Sequence, residues 1–250
     1  MAAGKCLTLL TLVVAGIAAA SACLPGVAGQ PPRDKSKPAE KVPVNPPGKP
    51  LAKPSLKPGQ IDLEKSRVYV YVGKKGLGHA HGVEGRIKSG SINAKGFAAA
   101  EITGEIVFDM ASFSADTDEA RKQVALKGTI AEPTREQVTE TMNGTEVLDV
   151  KKFSTATFKF KSTGVRFGGK GGPRYDLAGD LTLHGKTRPL KIVVEQTDED
   201  GRMSYRGNFT ILQSDFGVTP YKAALGTVGV ADELKIWGDI WVAQPEPDRK

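Results

Sequence analysis

The chain contains three histidines, and two of them lie two residues apart in Gly78-His79-Ala80-His81-Gly82. Side chains alternate across a β-strand, so a His-x-His pair on a strand projects both imidazoles to one side. Such a pair is half of a metal centre or an acid/base pair, because imidazole both ligates borderline cations and shuttles protons. His184 is the remaining histidine and would be the third ligand of a three-histidine centre. Its strand places it opposite the face of Leu181 and Leu183, beside a turn, and so aims it outward. Gly76, Gly78 and Gly82 mark an interrupted strand or a bulge at a rim, which undercuts strict alternation at the pair. Two readings follow: a metal-dependent enzyme using His79 and His81, or a non-catalytic rim feature. The second is the expectation, with no catalytic residue, no metal and no cofactor.

Other chemistries find little support. The two cysteines, Cys6 and Cys23, both fall in or beside a leader segment, so the folded part lacks a cysteine nucleophile or metal ligand. No Gly-x-Ser-x-Gly elbow occurs, and the glycines of "FGGKGGPRY" lead into a strand rather than a phosphate-binding helix. No carboxylate falls on the apolar face of a strand predicted below.

The elements that would hold these residues begin with a leader. "MAAGKCLTLLTLVVAGIAAASAC" has one early lysine, an apolar run and small residues, the pattern of an export signal over residues 1–22. Ala20-Ser21-Ala22-Cys23 also resembles a bacterial lipobox, with Cys23 the lipidated residue, although Ala20 stands where leucine is usual. Ordinary cleavage and lipid anchoring both remain open. The chain is accordingly expected in the periplasm or cell envelope of a bacterium. Residues 23–59 are rich in proline and lysine and read as a disordered spacer. This spacer carries seven basic residues against two acidic ones, most of the net charge of +7. The basic character thus belongs to a tail. Nucleic-acid binding is not expected, and weak attraction to anionic surfaces is the further reading.

Residues 60–243 read as one domain, followed by a flexible tail at 244–250. Period-two alternation recurs: Ile102, Gly104, Ile106 and Phe108; Phe158 and Phe160; Leu177, Gly179, Leu181 and Leu183. Leu190, Ile192 and Val194 follow, then Tyr205, Gly207, Phe209 and Ile211, then Leu234, Ile236, Gly238, Ile240 and Val242. With strands near residues 67–73 and 83–91, this predicts about eight antiparallel strands in a small closed barrel. Gly185 and Asp200-Gly201 mark tight turns. "SADTDEARKQVALKGTIAEPTREQVTETMNG" reads as two short helices between the third and fourth strands. Pro133 suits a first turn, Thr134 and Gln137 a capping box, and Gly144 a C-cap. The helices either cap one end or pack outside. Trp237 and Trp241 fall on the outer face and are expected under the helices or the spacer. The inward glycines Gly104, Gly179, Gly207 and Gly238 imply either sharp curvature or room for a ligand.

Three segments resemble the YceI-like family. "GDLTLHGKTRPLKIVVE" is similar to its hallmark hairpin, and "LQSDFGVTPYKAALGTVGVADELKIWGDI" to its C-terminal signature. "MNGTEVLDVKKFSTATFKFKST" resembles its central segment through Leu148, Asp149, Phe153, Phe158 and Phe160. Phe153-Ser154 replaces the usual Tyr-Pro, and Lys65 replaces a common histidine before Ser66. The resemblance spans Gln60 to Ala243. It implies an extended eight-stranded lipocalin-like barrel enclosing an apolar cavity, and a long amphipathic isoprenoid-type lipid in its lumen. Val70, Val72, Ile106 and Phe108 would then face the ligand, as would Phe158, Phe160, Leu181, Tyr205 and Phe209. Each is read first as a core side chain and second as a ligand contact. His79 and His81 would hydrogen-bond the lipid headgroup or pin the rim. A non-catalytic envelope stress protein without ligand is the remaining alternative.

Overall fold

A computed structural model describes residues 56–94, 98–168, 171–199 and 202–243. The expected leader, the Cys23 lipidation site, most of the spacer, the Asp200-Gly201 turn and the 244–250 tail lie outside the described residues. Within them the alternating segments become β1 (Arg67–Gly76), β2 (His81–Ala94), β3 (Ile102–Ala115), β4 (Thr155–Arg166) and β5 (Arg174–Leu183). β6 (Lys186–Glu199), β7 (Arg202–Leu212), the two-residue β8 (Lys222–Ala223) and β9 (Val228–Ala243) complete the set. From β1 to β7 successive strands pair antiparallel in chain order, and β9 pairs with both β7 and β1. Eight strands therefore close a barrel, and β8 adds a short edge to β9. One hydrophobic core fills the interior, with the inward residues of every barrel strand in it.

The two helices divide the roles anticipated for them. α1 (Asp118–Gln123) packs outside, where Ala120 and Val124 meet Tyr69 and, at the margin, Trp237. α2 (Glu132–Asn143) lies over one barrel end and turns Val138 and Met142 towards the core. Thr134 and Gln137 do not form a capping box. The helix starts three residues earlier than that pattern requires, with Ala131 as N-cap, so Thr134 falls inside the first turn. Gln137 instead faces the interior. Trp241 sits between the cations of Lys65 and Arg206 and not under a helix; most of the spacer, the other cover expected for it, lies outside the described residues.

The opposite end is sealed by polar groups that satisfy one another. Gln196 is fully buried; its amide donates to the Tyr205 hydroxyl at 2.9 Å, and its carbonyl accepts from the Ala98 N–H at 3.0 Å. The Tyr175 hydroxyl donates to Ala99 O at 2.9 Å. Burial pushes the Tyr205 phenol well above its ordinary value, which keeps it neutral and fit for a dry interior.

One seam is only half zipped. β6 pairs with β7 from Val193 to Glu199, whereas Lys186–Ile192 pair with β5 alone. Across the seam Phe209–Leu212 pair with β9 alone. The two strands thus splay towards the α2 end, leaving Leu190, Ile192 and Phe209 half-buried along an outer groove.

Candidate functional site

The inward side chains enclose two cavities separated by a waist. The larger, about 330 Å³, lies under α2. The smaller, about 70 Å³, lies towards the sealed end. Val68, Phe108, Leu181 and Phe209 face both and form the waist between them. Among the expected ligand contacts, Val70, Val72 and His81 line the larger cavity, while Ile106, Phe158, Phe160 and Tyr205 line the smaller. Polar side chains on the larger cavity come from rim elements: His81, Gln137, Thr141, Gln213 and Tyr221. The remainder of that surface is aliphatic or aromatic apart from small contributions. It offers an amphipathic guest a polar end and an apolar depth.

The inward glycines mostly record curvature. A Cβ on Gly179 would sit 2.0 Å from Lys159 O, and one on Gly207 would sit 2.6 Å from Val193 O. On Gly104 it would strike the Phe160 ring at 2.6 Å. Gly238 differs: its nearest neighbour would be 4.0 Å away, so its missing side chain leaves space beside the smaller cavity.

The histidine pair joins the rim through a residue that sequence reasoning passed over. β1 leaves β2 after Val72, whose cross-strand partner is His81. His81 therefore shares the inward face of Val72, while His79 stays in the preceding connection and lines neither cavity. Both imidazoles nevertheless converge on Asp116, which follows β3 directly. His81 Nδ1 lies 2.6 Å from Asp116 Oδ2, and His79 Nε2 lies 3.8 Å from the same oxygen. The other oxygen, Oδ1, accepts from Arg121 at 2.9 Å and from the Gly82 N–H at 3.2 Å. Arg121 is itself anchored by the carbonyls of Lys127 and Gly128. Gly82 has to be small here, because a Cβ would press at 3.0 Å on the α1 backbone around Ala120.

Asp116 has no exposed side-chain surface. Burial alone would raise its carboxyl. The hydrogen bond and charge of His81, the Gly82 N–H and the Arg121 guanidinium outweigh burial and hold it below the usual value. Asp116 also has φ of 56°, a left-handed conformation that aspartate tolerates better than most residues.

His184, by contrast, takes φ of 50° at the β5–β6 turn and packs at a tilt against Phe153, with 4.2 Å between centroids. The outward aim read from the sequence holds. The ligand atom that lies beside the pair belongs to the Asp116 carboxylate rather than to His184. Asp116 sat in a segment read as a helical insertion, and an aspartate after a strand resembles an ordinary turn or cap residue. No sequence spacing linked it to a histidine 35 residues away.

An antiparallel barrel with an apolar lumen, one sealed end and a helix-capped end defines a class of small-ligand binding folds. The YceI-like domain model matches residues 60–240, and the chain belongs to that family. A UPF0312 protein of Ectopseudomonas mendocina is 34% identical over 115 residues, covering 43% of this chain and 58% of that one. A UPF0312 protein of Vibrio cholerae is 39% identical over 79 residues, covering 29% of this chain and 40% of its own. The chain thus matches 58% and 40% of the length of these two curated relatives. Among solved structures, Burkholderia cenocepacia BcnA superposes with a TM-score of 0.50 at 22% identity, covering 73% of this chain and 99% of that one. A polyisoprenoid binding domain from Saccharophagus degradans gives a TM-score of 0.49 at 14% identity, covering 74% and 98%.

Proposed function

We propose that this barrel binds an isoprenoid-type lipid, with its hydrocarbon in the lumen and its polar end under α2, and carries it in a bacterial envelope. The observation that supports this most directly is the larger cavity, about 330 Å³, apolar in depth and polar only at its rim. Each CH₂ moved from water into such a lining contributes about 0.8 kcal/mol, so a prenyl chain needs no charged contact to bind well. Gln137, Thr141 and Tyr221 are placed to meet a headgroup, and His81 adds an imidazole held in one orientation by Asp116. On this reading the protein is a carrier rather than a catalyst. Residues 1–22 direct export, residues 23–59 act as a spacer, and Cys23 or the basic spacer brings the barrel to a membrane.

The test is to purify the full chain from cells, extract it with organic solvent and identify the extract by mass spectrometry. A prenyl-chain lipid at near-stoichiometric yield is the expected result. An extract holding only bulk membrane phospholipid, or none, overturns the proposal.

A further inference from the structure

The geometry points to a divalent transition-metal site at the barrel rim, built from His79, His81 and Asp116, beside the larger cavity. Their ligand atoms all lie within 4.8 Å of one another. Two imidazoles and one carboxylate are the donor set of a borderline cation such as Zn²⁺, Co²⁺ or Ni²⁺ rather than of Mg²⁺ or Ca²⁺.

Three features separate this cluster from a chance meeting of surface side chains. The carboxylate divides its work: Oδ1 is taken by Arg121 and the Gly82 N–H, while the polar partners of Oδ2 are the two histidines. Fixing one carboxylate oxygen by the protein while the other ligates is the usual outer-shell arrangement of a metal-bound carboxylate. Next, Asp116 is completely buried, whereas His79 is 49% exposed, so a fixed, hydrogen-bonded carboxylate faces a solvent-accessible imidazole. Finally, the exposed side of His79 leaves a fourth position open to water, while His81 ties the cluster to the lining of the larger cavity.

Tetrahedral zinc with bonds of about 2.0–2.1 Å separates neighbouring ligand atoms by about 3.4 Å. The His79–Asp116 distance of 3.8 Å has to close slightly, and the His81–Asp116 distance of 2.6 Å has to open. The second change follows from the chemistry. The cation takes the place of the hydrogen shared by Nδ1 and Oδ2, so His81 ligates as its Nε2–H tautomer: a neutral ring moves its proton from Nδ1 to Nε2, and an imidazolium releases one proton to solvent. Rotation of the exposed His79 ring supplies the rest.

The site is tested by calorimetric titration of the untagged full chain with Zn²⁺ alone, and by the visible spectrum of its Co²⁺ complex. One equivalent should bind, with the intense absorption of a four-coordinate Co²⁺ centre. His79→Ala removes an exposed ligand without disturbing the Asp116–Arg121 pair, and should weaken binding at least tenfold. His81→Ala should do the same, and His184→Ala should leave binding unchanged. Absence of one-equivalent binding overturns the site, as does binding that survives in both His79→Ala and His81→Ala. The lipid extraction is a separate readout, so either proposal can fail without the other.

Discussion

Asp116 holds four groups in place at once, and its removal should be felt in stability before anything else. Asp116→Asn keeps the shape but strips the charge that neutralises Arg121, whose side chain is only 8% exposed. Leaving a buried cation uncompensated costs about 3–5 kcal/mol, tempered here by the two carbonyls that also accept from Arg121. A fall of about 3 kcal/mol in urea unfolding is therefore expected. The pH dependence carries a definite sign. The folded carboxyl lies below its ordinary value of 3.8. Its stabilisation is therefore complete above that value and is lost as pH falls through the lowered one. Urea midpoints of wild type and Asp116→Asn should lie well apart at pH 5 and converge as pH falls below 3.8 and through the lowered value. An interval unchanged at acid pH would show that the carboxylate charge is not what Arg121 relies on. This residue also marks where sequence reading stops. The His-x-His spacing is visible because it is local, and the outward aim of His184 follows from strand alternation. Asp116 reaches the pair only through the β2–β3 pairing and its own left-handed backbone, neither of which its neighbours in the chain announce.

At the scale of elements, the strands were legible because each carries a two-residue apolar period that survives into the barrel. What the period does not encode is where strands part. Leu190 and Ile192 look like any inward pair, yet they face a seam where β6 has left β7. The inward glycines show the same limit: four equivalent positions in the pattern serve two purposes in the fold. Gly179→Ala places a Cβ 2.0 Å from Lys159 O and must force β4 and β5 apart. It should cost more than about 3 kcal/mol or abolish soluble expression, given what overpacking and a broken ladder each carry. Gly238→Ala meets nothing closer than 4.0 Å and should stay within about 1 kcal/mol of wild type. Equal penalties in urea unfolding would refute the distinction. Helix α2 makes a complementary case. None of its residues is fully buried, yet Val138 and Met142 line the larger cavity. The double change Val138→Asp with Met142→Asp should lower stability by only about 1–2 kcal/mol while making the cavity roof charged. Co-purified lipid should drop severalfold by mass spectrometry while the far-ultraviolet circular dichroism stays that of the barrel. Full retention of lipid would remove α2 from the binding role.

At the scale of the whole barrel domain the two ends are unequal, and the waist decides how far a guest can reach. The sealed end is tied by Gln196, Tyr175 and Tyr205, so a hydrocarbon entering under α2 can lengthen only through the gap between Val68, Phe108, Leu181 and Phe209. Leu181 is 5% exposed and faces both cavities, which makes it the best place to close that gap. Leu181→Trp adds bulk where the barrel is already narrow and should cost about 1–3 kcal/mol as overpacking. If a guest spans the waist, the variant confines it to the larger cavity, and lipids extracted from it should shift to shorter prenyl chains or disappear. The thermal stability added by lipid should shrink in parallel, because bound ligand stabilises by mass action alone, about 2.7 kcal/mol when its concentration is a hundredfold above Kd. A guest confined to the larger cavity would leave the chain-length distribution unchanged and the stabilisation intact. The extract of Leu181→Trp therefore separates a ligand that threads the barrel from one that occupies only its mouth.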